Sequence, residues 1–237
     1  ADLYFTPGRR AAAMEAVSDF RFGPHLYTPP SLVDAADGTR GVLSLPSSTG
    51  GANWEGSALD PETGIIYVPS RTALALLSVG NDPDSDLAYS MAFGVRVPRV
   101  QGLDVIKPPY GRITAIDMNS GDHVFQVANA DTPDRIKNNP ALAGIDVGNT
   151  GTGAMAPMLV TPSMLLYAAD ASDGSPHLYA VDKATGAQLA KVPVPTSSRY
   201  GMMSYVHHGE QYVVLQTGSK LTAMSLHGPR ASGAGGH

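Results

Sequence analysis

Cysteine is absent from the 237-residue chain, which removes disulfides, thiolate metal ligands and thiol nucleophiles together. That absence fits an export compartment and the cytosol alike, so it constrains chemistry more than location. Charge is scarce too. Asp, Glu, Lys and Arg make up 16% of the residues, the net charge is -5, and no Lys/Arg stripe is available to neutralise a row of phosphates. Nucleic acid is therefore not an expected partner. No apolar run approaches the roughly 20 residues that a membrane-spanning helix needs. The first residues also lack the basic, apolar, small-residue order of a secretion signal. A soluble chain is expected. HExxH, phosphate-loop and GxSxG patterns are all missing, which leaves zinc hydrolysis, nucleotide binding and a hydrolase elbow without support.

What the sequence does hold is turn residues and short apolar runs. Hydrophobic residues at 43% suffice for a core, and 26 Gly with 19 Pro suit many short strands joined by turns better than a helical protein. One helix is predicted over residues 9–20. Thr6 can cap it, Pro7 suits its first position, Met14, Val17 and Phe20 share one side, and Gly23-Pro24 stops it. Thereafter apolar runs at residues 41–45, 65–68, 113–116, 164–168, 178–181 and 212–215 alternate with turns, each too short for a stable helix.

A weak repeat links these runs. LDPETGIIYV (59–68), TAIDMNSGDHVFQV (114–127) and YAVDKATGAQLAKV (179–192) each place an Asp four residues before a Gly. The spacing predicts a tight turn between two outer strands, where the Asp accepts backbone N–H groups and Gly64, Gly121 or Gly186 supplies a positive φ. The intervals between these Gly exceed the ~40–50 residues of common propeller repeats. The excess is assigned to excursions at residues 70–110 and 131–153, where a propeller would build its binding face. A last hairpin is predicted over residues 205–212 with Gly209 in its turn, and a closing strand over 221–226. The domain reading is a helix and extended leading segment (1–30), propeller blades (31–226) and a flexible, Gly/Ser/Ala-rich tail (227–237).

The segment GGANWEG (50–56) carries the most chemical information. Its Gly residues allow backbone to approach a ligand closely, Asn53 offers both donor and acceptor, and Trp54 is the only Trp. Spacing alone also fits a core Trp under a Gly-rich turn. His207 and His208 flank a turn Gly and read as a solvated hairpin tip. His25 reads as structural. Asp82, Asp84 and Asp86 read as a solvated loop, because the Gly and distal Glu of a Ca²⁺ loop are missing.

Taken in order, FRFGPHLYTPPSL (20–32), GGANWEGSALDPETGIIYVPS (50–70), PPYGRITAIDMNSGDHVFQV (108–127), DTPDRIKNNPAL (131–142), APMLVTPSMLLYAAD (156–170), LYAVDKATGAQL (178–189) and MMSYVHHGEQYVVLQTG (202–218) cover most of the chain. This series resembles the C-terminal portion of the pyrroloquinoline quinone (PQQ)-dependent dehydrogenases, in their membrane-bound glucose and quinate branch. The resemblance implies an all-β fold: about half of an eight-bladed quinoprotein propeller, with one short N-terminal helix. It implies a PQQ cofactor accompanied by Ca²⁺ or Mg²⁺, and Asn53 matches the family Asn that hydrogen-bonds the quinone, with Trp54 beside it.

The family's metal ligands and catalytic Asp come from earlier blades. No catalytic or metal-binding residue is therefore assigned in this chain, and it is expected not to turn over substrate alone. Expected partners are an N-terminal propeller half, a sugar, polyol or related alcohol substrate, and a membrane quinone as acceptor. The implied location is a bacterial periplasm, with membrane association through an N-terminal region. Half a propeller would also leave an exposed apolar flank.

Three features depart from the family pattern. Ala154-Met155-Ala156 replaces a Gly-Gly element, Gln216-Thr217-Gly218-Ser219 replaces a longer Gly-rich loop, and Phe125 and Leu189 stand where a blade-docking Trp is usual. These departures keep open a non-catalytic propeller that binds protein partners.

Overall fold

A computed structural model describes residues 7–22, 25, 27–92 and 96–225. Among the described residues three larger antiparallel sheets follow one another along the chain, and three two-stranded ribbons lie before and within the first excursion. The first is built from Ala58–Asp60, Ile65–Arg71, Gly111–Asp117 and His123–Ala128, and the second from Met158–Val160, Leu165–Asp170, Pro176–Val181 and Gln188–Pro193. The third has three strands, Met202–His207, Glu210–Thr217 and Lys220–Ser225. In each sheet consecutive strands pair with their neighbours, which gives the meander of a propeller blade. The hairpin predicted at Gly209 and the closing strand are both present. Each of the six predicted apolar runs coincides with a strand over most of its length, with Gly41, Leu45 and Met164 just outside.

The helix spans Pro7–Ala16 and so begins and ends earlier than predicted. Ala13 is its buried position and Val17, one residue past its end, is buried beside it, with Met14 44% exposed. Of the predicted stripe, Val17 is buried and Phe20 packs against the same cluster, but Met14 faces outward and Ala13 takes its place. Thr6 and Gly23-Pro24 lie outside the described residues, as does the tail from residue 226. Ala13 and Val17 pack with Leu43 and Val105, which anchors the helix to the first excursion.

The Asp-Gly turns have the predicted chemistry. Gly64, Gly121 and Gly186 have φ of 72°, 81° and 75°, and Asp60, Asp117 and Asp182 accept local N–H groups. Their place in the sheet differs from the prediction at one of the three. The Gly121 and Gly186 turns join third and fourth strands, but the Gly64 turn joins the first and second strands of the first sheet. Alternate turns of a meander share an end, so Gly64 lies beside the Gly121 turn, and Met118 N–H donates to its carbonyl at 3.0 Å. The loop 50–56, both excursions and the linker 194–201 are thereby gathered at the opposite end.

The sheets stack face to face. Ala58, Tyr67, Ala115 and Phe125 of the first sheet share one face by register, and that face meets Leu165, Tyr167, Tyr179 and Val181 of the second. Phe125 packs where a Cβ on Gly186 would lie 2.8 Å from its ring, so the aromatic of one blade seats on the turn Gly of the next. In the second sheet the register counterpart of Phe125 is Ala190, paired with Ala180. The assignment of that role to Leu189 is corrected: Leu189 falls at a bulge and is 57% exposed. With only a methyl at position 190, a groove of about 480 Å³ opens between second and third sheets.

The two outward faces of the stack are apolar and open. Leu59 (53% exposed) lies on the first sheet's free face, beside partly exposed Ile66 and Val68. Met203 (54%) and Leu221 (76%) lie on the third sheet's free face. The exposed apolar flank expected from the sequence is thus a feature of the structure.

Candidate functional site

The Gly50–Gly56 loop is held by the end of the first sheet's second strand. Arg71 N–H donates to the Gly51 carbonyl at 2.8 Å, and the Arg71 guanidinium donates to the Ser47 hydroxyl at 3.1 Å and to the Thr49 hydroxyl. The sequence reading missed Arg71, because its partners precede it across a whole strand pair. The loop is thus pinned at its base and open at its tip.

Asn53 and Trp54 stand at that tip, both exposed. The Asn53 amide donates to the Thr49 carbonyl at 2.7 Å and accepts the Trp54 N–H at 2.8 Å. A side-chain amide has two donors and two lone pairs. One of each remains on Asn53, aimed by an orientation the loop already fixes. Trp54 is 66% exposed, not a core residue, and stacks on Tyr200 of the 194–201 linker with ring centroids 5.6 Å apart. Tyr200, the second residue missed by the sequence reading, is 44% exposed. Two stacked aromatic rings and a half-used amide thus meet at the tip of the loop.

The second excursion is fastened under this end by buried contacts. Asn129 donates to the Ala154 carbonyl at 2.9 Å, and a Cβ at Gly111 would lie 1.8 Å from the Thr152 carbonyl oxygen. Ala156 is fully buried and Met155 nearly so. The altered Ala-Met-Ala segment therefore fills a blade seam. His207 and His208 sit at the other end, in the third sheet's first turn, and the Asp82 carboxylate accepts the Asp84 N–H in an exposed loop. Among the described residues no three His, Cys, Asp or Glu come together in a metal-holding group, and no helix is long and apolar enough to cross a membrane.

With this geometry in place, the comparisons with known proteins define a class. Residues 1–213 match the family described as glucose/ethanol/alcohol dehydrogenase, β-propeller domain, a PQQ family, and the chain belongs to it. It is 29% identical to a probable quinate dehydrogenase (quinone) of Xanthomonas campestris pv. juglandis, over 81% of this chain and 26% of that protein. It is 28% identical to a quinate/shikimate dehydrogenase (quinone) of Acinetobacter baylyi, over 81% of this chain and 25% of that protein. The quinohemoprotein alcohol dehydrogenase from Comamonas testosteroni superposes with a TM-score of 0.47 at 16% identity, over 78% of this chain and 26% of that chain. The chain spans about a quarter of the length of the curated relatives it matches.

Proposed function

We propose that this chain forms part of a PQQ-dependent dehydrogenase that oxidises a hydroxyl group of a sugar, polyol or related alcohol. The observation that carries the reading is the family match over residues 1–213, joined to a pinned loop that presents Asn53 and Trp54 at the excursion end. The bound quinone would supply the two-electron chemistry. Asn53 would hydrogen-bond the quinone edge, and Trp54, backed by Tyr200, would offer its outer face to the ring. A cation, Ca²⁺ or Mg²⁺, and a catalytic carboxylate would come from a preceding portion of the propeller. The chain alone would then be inactive. Electrons would leave to a membrane quinone or another acceptor, and the protein would work in the periplasm, with membrane association through an N-terminal region.

One observation favours the second reading, a non-catalytic propeller that binds protein partners: the apolar outer faces carried by Leu59 and Leu221 are also what a protein partner would cover. A PQQ titration at fixed Ca²⁺, read by Trp54 emission in this chain and by dye-linked oxidation in the chain joined to its upstream sequence, separates the two. Saturable quenching with turnover supports the dehydrogenase. Neither signal in a folded protein would hand the case to the partner-binding propeller.

A further inference from the structure

Where the two excursions meet, they enclose a cleft of about 550 Å³ that has no part in the reading above. Its volume is typical of small-molecule sites. Arg96 and Arg99 reach it from the first excursion and Arg135 from the second, against a single carboxylate, Asp104. Arg99 Nε and Arg135 Nη2 each lie 2.9 Å from one oxygen of Asp104, so each guanidinium spends one nitrogen on that bridge and keeps further N–H groups for a ligand. Arg96 has no hydrogen bond or ion pair among the described residues. The lining therefore carries an excess of two positive charges, with one guanidinium uncommitted among the described residues. The rest of the wall is carbon, from Leu74, Val97 and Ile106.

A wall of this kind discriminates on two counts. Guanidinium forks match carboxylate geometry and lose little when partly desolvated. The apolar side favours a ligand with a carbon skeleton over a bare inorganic anion. We infer that this cleft is a binding site for a small organic acid, its carboxylate held by Arg96 with Arg99 and Arg135 beside it. The Asp104 bridge spaces the two flanking guanidinium groups and prevents their mutual repulsion from splaying the excursions. The inference concerns binding alone, so its test does not depend on turnover and can fail or succeed independently of the dehydrogenase reading.

The test is calorimetric titration of the 237-residue chain with quinate, glucose, inorganic phosphate and PQQ at constant ionic strength. Saturable quinate binding is expected, weakened at least tenfold in Arg96→Gln and partly restored in Arg96→Lys, with equal thermal midpoints for all three proteins. Glucose should not bind. Quinate affinity unchanged by Arg96→Gln, glucose binding as well as quinate, or phosphate binding more tightly than quinate would each overturn the assignment. The PQQ arm identifies the source of the carboxylate. Displacement of quinate by PQQ with the same dependence on Arg96 assigns it to the quinone, and simultaneous binding of both assigns it to a substrate or effector acid.

Discussion

Lys183 Nζ lies 2.7 Å from Asp60 Oδ2, joining the outer turn of the second sheet to the first turn of the first. Asp60 is 3% exposed, and the Thr63 hydroxyl and Glu62 N–H also donate to it. Tyr67 closes the contact by donating to the Lys183 carbonyl at 2.8 Å. The hydrogen bond from Lys183 holds the Asp60 carboxyl below its ordinary range, against the opposing effect of burial. Because the folded value is the lower one, this stabilisation is present above the ordinary carboxylate value and is lost as pH falls through the folded value. Lys183→Met should cost about 1.5–3 kcal/mol by urea unfolding at neutral pH. Asp60→Asn should flatten the acid limb of the stability profile. An unchanged acid limb would mean that the bridge does not set acid stability.

The seat of Phe125 on Gly186 predicts a coupled pair. A Cβ at Gly186 would lie 2.8 Å from both Phe125 and Val127, at a φ of 75° that side chains disfavour. Gly186→Ala should destabilise by about 2 kcal/mol, and Phe125→Leu should recover part of that loss in the double variant. Strict additivity in denaturant titrations would show that the two residues do not share one seam.

Between the second and third sheets the expectation reverses sign. Ala190→Phe would put apolar surface into the groove lined by Leu166, Leu178 and Val213, and should stabilise by about 1 kcal/mol. Leu189→Ala should be nearly neutral, since Leu189 is 57% exposed. A lower thermal midpoint for Ala190→Phe would show that the groove cannot accept a ring.

The turn chemistry was legible in the sequence because an Asp four residues before a Gly is a local signal. The place of each turn in its blade was not, since a first-to-second and a third-to-fourth turn use the same residues. The docking position was misread at Leu189 for a related reason: the bulge at Ala180/Val181 inserts one residue, and a one-residue slip moves a side chain to the other face. Asn53 and Trp54 were found through the Gly-rich context and the family resemblance. Tyr200 and Arg71 reach the same loop through tertiary contacts that leave no local pattern.

Tyr167 and Tyr179 are the groups expected to set the alkaline limit of stability. Their rings stack with centroids 5.0 Å apart, Tyr167 accepts the Ala130 N–H, and Tyr179 donates to Asp131 at 3.2 Å. Burial raises the Tyr167 hydroxyl from 10.0 to about 12, and burial followed by the Asp131 charge raises Tyr179 as well. A raised folded value means that this stabilisation is intact below 10.0 and is lost as pH climbs through about 12. Stability should therefore fall over that interval, and Tyr167→Phe should remove part of the slope. An identical alkaline transition in the variant would place the sensitive group elsewhere.

Asn53 offers the sharpest test of the dehydrogenase reading, because its amide keeps one donor and one lone pair after bonding Thr49 and Trp54. A neutral hydrogen bond to the quinone contributes about 0.5–1.5 kcal/mol, so Asn53→Ala should weaken PQQ binding several-fold. The substitution also frees the Thr49 carbonyl and the Trp54 N–H, and that local loss must be separated from loss of the ligand contact. Asn53→Asp helps make the separation: its carboxylate can still accept the Trp54 N–H, it loses the donation to the Thr49 carbonyl as Asn53→Ala does, and it would in addition repel the quinone carboxylates. Trp54 is the chain's only Trp and stacks on Tyr200, so its emission reports directly on whether the loop keeps its shape. Weakened PQQ binding in both variants, with the Trp54 emission of Asn53→Asp unchanged from wild type, would place Asn53 against the quinone. Equal PQQ affinity in wild type and Asn53→Asp would remove it from the site.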